Sequence, residues 1–262
     1  MAQDKIKLAL VGYGKMGREI EKLVRTEYRE SFSIVSRIDP EIRDAKYKEI
    51  NAESVGRADV CIDFTRPDVV VDNIKRFVDL EKQIVVGTTG WNDRISEVRD
   101  YVGDANGGLI YAPNFSFVVN AYLKSIKETA RLLSPFAYDY DTRIEETHHA
   151  SKVDAPSGTA RQMVEILRGY GFNIDPNNKE QVISYRPDMQ LGYIGRHTLT
   201  LRSKSKEVAT ELSNEVKSRG EYAKGVLTAA RWVQDRSGVF NMDEMLDDIM
   251  DGLKENTVGC EI

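Results

Sequence analysis

The chain has 262 residues, 41% hydrophobic and 30% charged, the balance of a soluble globular protein with room for one large domain or two modest ones. Its 37 basic and 42 acidic side chains leave a net charge of −5, without the basic excess of a nucleic-acid or anionic-membrane binder. No apolar run approaches the roughly 18–20 residues that cross a bilayer, no signal-peptide pattern opens the chain, and the distant Cys61 and Cys260 form no CxxC pair; the expected setting is the reducing cytoplasm, with no nucleic-acid or membrane partner.

Ile6–Val11 is an apolar run without alternation, which predicts a strand buried on both faces. Gly12-Tyr13-Gly14-Lys15-Met16-Gly17 follows at once, and Ile20, Leu23 and Val24 continue at helical spacing. Phe32–Ile38 predicts a second strand, ended by Asp39-Pro40. Asp59–Phe64, Gln83–Gly87 and Gly107–Ala112 predict three more, with a helix over Val69–Leu80. Strands and helices alternating in this rhythm predict an open parallel sheet covered on both faces. After Ala112 the pattern changes. Val119, Tyr122, Leu123, Ile126, Ala130 and Leu133 make a helical stripe. Tyr138, Tyr140, Thr142 and Ile144 then alternate with charged residues, as in a strand with one wet face. Further strands are expected at Gln181–Arg186, Gly195–Leu201 and Glu207–Val216, and helices at Thr159–Leu167 and Glu221–Val233. The fold class expected is α/β: a Rossmann-like dinucleotide-binding domain from residues 1–115 and 220–262, plus an α+β substrate-binding and oligomerisation domain with a mixed sheet from 116–219. The tight join near Pro113 predicts a cleft shared by the two domains.

G-x-G-x-x-G alone is weak evidence, but here it lies between a strand and a helix. Gly12 suits the tight turn, Gly14 lets a pyrophosphate approach the backbone, and Gly17 allows close helix–sheet contact. The first N–H groups of the helix face the anion. Asp39, 22 positions after Gly17, stands where an acid accepts hydrogen bonds from the adenosine ribose. That carboxylate favours NAD over NADP, while Lys15, Arg37 and Arg43 oppose the preference. Gly87-Thr88-Thr89-Gly90 and Ala112-Pro113-Asn114-Phe115 follow strands, where a nicotinamide ring binds in such sheets, or are simply turns.

The stretch Glu145-Glu146-Thr147-His148-His149-Ala150-Ser151-Lys152 runs into Val153-Asp154-Ala155-Pro156-Ser157-Gly158-Thr159. Neighbouring His148 and His149 on extended chain point to opposite sides, so they make a poor ligand pair and no metal is expected. A structural role for the histidines explains less well the nearby Lys152 and Ser-Gly-Thr turn. Histidine exchanges protons near neutral pH, Lys152 supplies charge or a second proton, and a helix start with hydroxyls binds a carboxylate. Thr159 and Gln162 stand at capping-box spacing. These residues together describe a reductase of an acidic, cyclic substrate.

In these motifs the chain resembles the 4-hydroxy-tetrahydrodipicolinate reductase (dihydrodipicolinate reductase) family of diaminopimelate and lysine biosynthesis. Glu146 to His149 with Lys152 to Ala160 is the most specific part; Val11–Gly17, Asp63-Phe64-Thr65, Gly87–Gly90, Ala112–Phe115, Gly195-x-His197 and Ser218-Arg219 match in order. The resemblance implies that His148 is the acid/base residue and Lys152 the proton donor. It implies that His149, Lys152, Ser157, Gly158, Thr159 and Thr89 hold the substrate. Gly12, Tyr13, Gly14, Lys15, Met16, Asp39, Gly87, Thr88, Thr89, Ala112, Pro113, Asn114 and Phe115 would contact NAD or NADP; the leaning toward NADH comes from the Asp39 carboxylate. It also implies a homotetramer assembled through the sheets of the second domain. The chain departs from the family at Val118, where glycine is usual, and at Asn214-Glu215-Val216-Lys217, where the family carries His-Arg-Ala. These departures leave open a paralogous NAD(P)-dependent reductase of another cyclic imine or amino-acid-derived substrate.

Overall fold

A computed structural model describes residues 4–148, 155–187 and 193–257. The chain divides into two compact units, one running to Ser116 and resuming at Tyr222, the other spanning Phe117–Glu221.

The first unit opens with β1 (Ile6–Val11), α1 (Lys15–Thr26), β2 (Phe32–Ile38), the short α2 (Ala52–Val55), β3 (Val60–Asp63), α3 (Val70–Asp79), β4 (Gln83–Val86), α4 (Ile95–Asp104) and β5 (Gly108–Tyr111). The second contains α5 (Phe117–Leu133), β6 (Tyr140–His148), α6 (Gly158–Gly169), β7 (Val182–Tyr185), β8 (Gly195–Ser203) and β9 (Ala209–Val216). The chain then runs through α7 (Gly220–Trp232), β10 (Gly238–Asn241) and α8 (Met242–Thr257).

All six strands of the first sheet run parallel, in the order β10-β5-β4-β3-β1-β2. The central strands are mostly apolar, as in a sheet covered on both faces: Leu8, Ala9, Leu10, Val60, Ile84 and Val85 have no exposed surface. Each such leucine, isoleucine or valine side chain contributes about 1.5–3 kcal/mol by leaving water. The chain passes from β1 to β2 on one side and returns to β3 on the other, so the loops after β1 and β3 diverge and open a crevice at the carboxyl ends of the strands. The sixth strand, β10, and α8 lie beyond the last element read from the sequence. Four residues carry too little periodicity to mark a strand, and only pairing with β5 defines it.

The second sheet has the order β7-β6-β8-β9; β6 and β7 run parallel and the other pairs antiparallel, so it is mixed. The period-two reading of β6 gives the right faces: Thr142, Ile144, Glu146 and His148 are buried. Tyr138, expected in this strand, is instead in a 3-10 turn (Ser134–Asp139) and 70% exposed, because Pro135 favours the start of a turn. From α5, the buried Tyr122 hydroxyl donates to the carbonyls of His197 in β8 and Leu212 in β9, fastening the helix to two strands.

Candidate active site

In the first unit the glycine loop closes the crevice. Gly12 has φ +82, and a Cβ there would run into the Phe64 carbonyl, so only glycine lets the ends of β1 and β3 meet this closely. Gly12, Gly14, Asp39, Phe64, Thr65 and Arg66 line a cavity of about 340 Å³. The Tyr13 N–H donates to Asp39 Oδ2 at 2.9 Å, and Asp39 Oδ1 accepts from the N–H groups of Glu41 (2.9 Å) and Ile42 (3.0 Å). Asp39 thus braces the loop while facing the cavity. The Tyr13 side chain turns inward. Its ring lies under the Arg18 and Arg37 guanidinium groups, and its hydroxyl donates to Glu21. Arg37 grips Glu21 through Nε at 2.8 Å and Nη2 at 2.5 Å. Burial alone would raise the Glu21 carboxyl, but the Arg37 and Tyr13 hydrogen bonds outweigh it and hold the group below its usual range. Lys15 is exposed and Met16 half-buried, and neither lines the cavity.

The later loops have their own anchor. Buried Asp63, at the end of β3, accepts from the Thr65 hydroxyl (2.7 Å), the Thr65 N–H (3.0 Å) and the Thr88 hydroxyl (2.8 Å) through Oδ1, and from Asn73 (2.9 Å) through Oδ2. Burial pushes its carboxyl up, against these hydrogen bonds. Thr88 is therefore committed inside the loop, whereas Thr89 is exposed and Gly87 half-buried. Of the next loop, Ala112 and Phe115 are buried, Pro113 is exposed, and Asn114 accepts from the Ser116 N–H at 2.9 Å.

In the second unit a polar cluster is buried where β6, β7, β8 and the start of α6 meet. Register explains it: Glu146 pairs with His197 and His148 with Gly195 across β6 and β8. A Cβ on Gly195 would lie 2.7 Å from His148 Cε1, so the glycine makes room for the imidazole. The two rings meet edge-on at 5.1 Å. His148 Nδ1 lies 3.2 Å from the Ile194 carbonyl. Its Nε2 stands 3.3 Å from Glu146 Oε2, outside hydrogen-bond geometry, and makes no hydrogen bond among the described residues. Glu146 is fully buried. It accepts from the Ser157 N–H at 3.0 and 3.2 Å and from the Ser184 hydroxyl at 2.6 Å, with Arg186 Nη2 at 3.3 Å. Burial would raise this carboxyl, but the imidazoles, Ser157 and Ser184 around it hold it well below the usual range.

Ser157, not Thr159, caps α6: its hydroxyl accepts from the Ala160 N–H and lies 3.1 Å from His197 Nε2. The capping-box spacing misled because the serine two positions earlier already satisfies the helix start. Gly158 is exposed and Thr159 half-buried. His149 and Lys152 lie outside the described residues. One ligating atom each from Glu146, His148 and His197 fall within 4.8 Å of one another, a trio the sequence reading passed over by weighing only the His148–His149 pair. Arg186 already supplies positive charge at that carboxylate, and both its oxygens already accept hydrogen bonds.

Two matches cover nearly the whole chain. The dihydrodipicolinate reductase N-terminus model matches residues 6–115, and the C-terminus model matches 118–246. The 4-hydroxy-tetrahydrodipicolinate reductase of Christiangramia forsetii is 30% identical over 247 residues, 92% of this chain and 98% of that one. The chain belongs to the dihydrodipicolinate reductase family. The 4-hydroxy-tetrahydrodipicolinate reductase of Chromobacterium violaceum is 35% identical over 203 residues, 72% of this chain and 73% of that one. In fold the chain is similar to a solved dipicolinate-bound dihydrodipicolinate reductase from Paenisporosarcina sp. TG-14, with a TM-score of 0.67 and 24% identity, covering 91% of this chain and 98% of that one. Within this dihydrodipicolinate reductase fold the sequence reading gave no role to Glu21, Asp63, Glu146, Ser184 or Arg186. Two of them left a signal: Asp63 heads the motif Asp63-Phe64-Thr65, and Glu146 stands two positions before His148 on the same strand face.

Proposed function

We propose that this chain reduces 4-hydroxy-tetrahydrodipicolinate to tetrahydrodipicolinate with NAD(P)H, a step of diaminopimelate and lysine biosynthesis. The observation that carries the reading is the buried Glu146–His148–His197 cluster against the capped start of α6. The first N–H groups of α6 have no partners within the helix, and its positive end suits a substrate carboxylate. Ser157, Gly158 and Thr159 form that grip, joined by His149 and Lys152. His148 handles the proton: its Nε2 is a buried polar atom with no hydrogen bond among the described residues, the kind of group a reacting substrate completes. Lys152 is the second proton donor.

The glycine-loop cavity, lined by Gly12, Gly14 and Asp39, suits the adenosine end of a dinucleotide. Backbone at Gly12, Tyr13, Gly14, Lys15 and Met16 would hold the pyrophosphate and Asp39 the ribose, with Gly87, Thr88, Thr89, Ala112, Pro113, Asn114 and Phe115 toward the nicotinamide, which when bound supplies the hydride. NADH is preferred. Asp39 lines the cavity and repels a 2′-phosphate, while the Arg37 guanidinium is spent on Glu21 and the Lys48 ammonium on the carbonyls of Asp39 and Ile42. The working form in this reading is a cytoplasmic homotetramer assembled through the outward face of the second sheet; sedimentation velocity checks it.

Substitutions test the site. Thr159→Ala is expected to weaken substrate binding by about tenfold to a hundredfold, one hydrogen bond to a charged group, with NADH affinity unchanged. His148→Gln is expected to lower turnover by about 10²–10⁴-fold with little change in the Michaelis constant. Near wild-type turnover in His148→Gln would return the histidine to a structural role. A second reading, a related cyclic imine as substrate, is favoured by Asn214: it lies opposite His197, and its buried Oδ1 has no partner among the described residues. Parallel assays on both substrates separate the two.

A further inference from the structure

We propose that Glu146 is the positioning residue of this site: it holds the imidazoles of His148 and His197 and the first turn of α6 as one rigid unit, so that the proton-handling ring and the carboxylate grip keep a fixed spacing. The proposal rests on the function assigned above.

Four elements converge on this one carboxylate. It projects from β6, accepts from Ser184 of β7, stands 3.5 Å from His197 Nε2 of β8, and accepts the N–H of Ser157, the cap of α6. Ser157 then passes the constraint on in two directions, to the Ala160 N–H inside the helix and to His197 Nε2. His148 lies against three groups: Nε2 stands 3.3 Å from the charge of Glu146 Oε2, Nδ1 lies 3.2 Å from the Ile194 carbonyl, and the ring packs over Gly195, where no Cβ intrudes. A fully buried carboxylate is a poor device for stability alone, since an apolar residue of similar volume does as well without the desolvation cost. A charge here is explained by what it aims: two imidazoles and a helix start. Arg186 at 3.3 Å offsets the charge, so the carboxylate does not repel an anionic substrate held at the end of α6.

The test is Glu146→Gln in the full-length chain. Glutamine keeps the size and one accepting oxygen but turns an N–H₂ toward groups that now donate. Affinity for pyridine-2,6-dicarboxylate, by calorimetry, is expected to fall by about tenfold or more, one charge-assisted hydrogen bond, while NADH affinity stays unchanged. The ring ¹⁵N resonances of His148 and His197 are expected to move; the chain has three histidines, so the spectrum is simple, and His148→Gln and His197→Gln assign it. A folded variant with wild-type dicarboxylate affinity, or with both rings unmoved, would overturn the proposal, because a merely structural Glu146 would lower stability and change neither. Should Glu146→Gln not fold, Ser184→Ala removes a single donor to Oε1 and is expected to change both readouts in the same direction by less; no change in either would equally overturn it. The histidine resonances are read without substrate, so they judge Glu146 independently of the reaction. Failure of the unaltered chain to turn over its substrate counts against the proposed function alone.

Discussion

Gly195→Ala perturbs the site through a single methyl group. Gly195 does not have positive φ, so alanine adds no backbone strain, and the whole effect falls on His148. The new Cβ would lie 2.7 Å from Cε1 and 2.9 Å from Nδ1 of the imidazole. Carbon contacts need about 3.5–4.0 Å, so the ring must retreat by about 1 Å. It cannot do so without lengthening the 3.2 Å approach of Nδ1 to the Ile194 carbonyl and changing its distance from Glu146. Overpacking of this kind costs about 1–3 kcal/mol of stability. A misplacement of about 1 Å costs about 10²-fold in rate. The assay is loss of NADH absorbance driven by 4-hydroxy-tetrahydrodipicolinate, with NADH affinity measured separately; kcat/KM is expected to fall by about 10²-fold with NADH binding intact. A folded Gly195→Ala protein with wild-type kcat/KM would refute the claim that the glycine sets the position of His148 for the reaction.

Two further outcomes follow. The Glu146 carboxyl is held below its ordinary value of 4.5 in the folded chain, so its contribution to stability is complete above that pH and is lost as pH falls further; urea unfolding against pH should show an acid slope, up to about 1.4 kcal/mol per pH unit from this group, that Glu146→Gln lacks, and identical slopes would contradict the assignment. Titration with both cofactors is expected to show NADH binding at least as tightly as NADPH, and a NADPH preference of about tenfold, or about 1.4 kcal/mol, would show that the basic residues around Asp39 outweigh its charge.

Much of the fold was legible because its signals are local. Ile6–Val11, Phe32–Ile38 and the stripe from Val119 to Leu133 announce their elements by period alone, and the structure places β1, β2 and α5 there. The Gly12–Gly17 loop is likewise read from neighbours in sequence. What the sequence hid depends on pairing across distance. β10 exists only through its ladder with β5, and the cluster in the second unit exists only through the register that sets Glu146 against His197 and His148 against Gly195. Asp63-Phe64-Thr65 stood out as a motif, but the anchoring role of Asp63 did not, since its partners Asn73 and Thr88 come from separate segments. The capping serine shows the opposite failure. A motif spacing at Thr159 was present, yet Ser157, two positions earlier, met the same physical need first.

The most direct test of the account is to give the purified chain NADH and 4-hydroxy-tetrahydrodipicolinate and follow both cofactor and product. The account predicts that NADH is oxidised only when the substrate is present, with one tetrahydrodipicolinate formed for each NADH consumed, and that pyridine-2,6-dicarboxylate competes with the substrate rather than with NADH. Oxidation that ignores this substrate while proceeding with another cyclic imine, or the absence of any turnover by a folded protein that binds NADH, would contradict it.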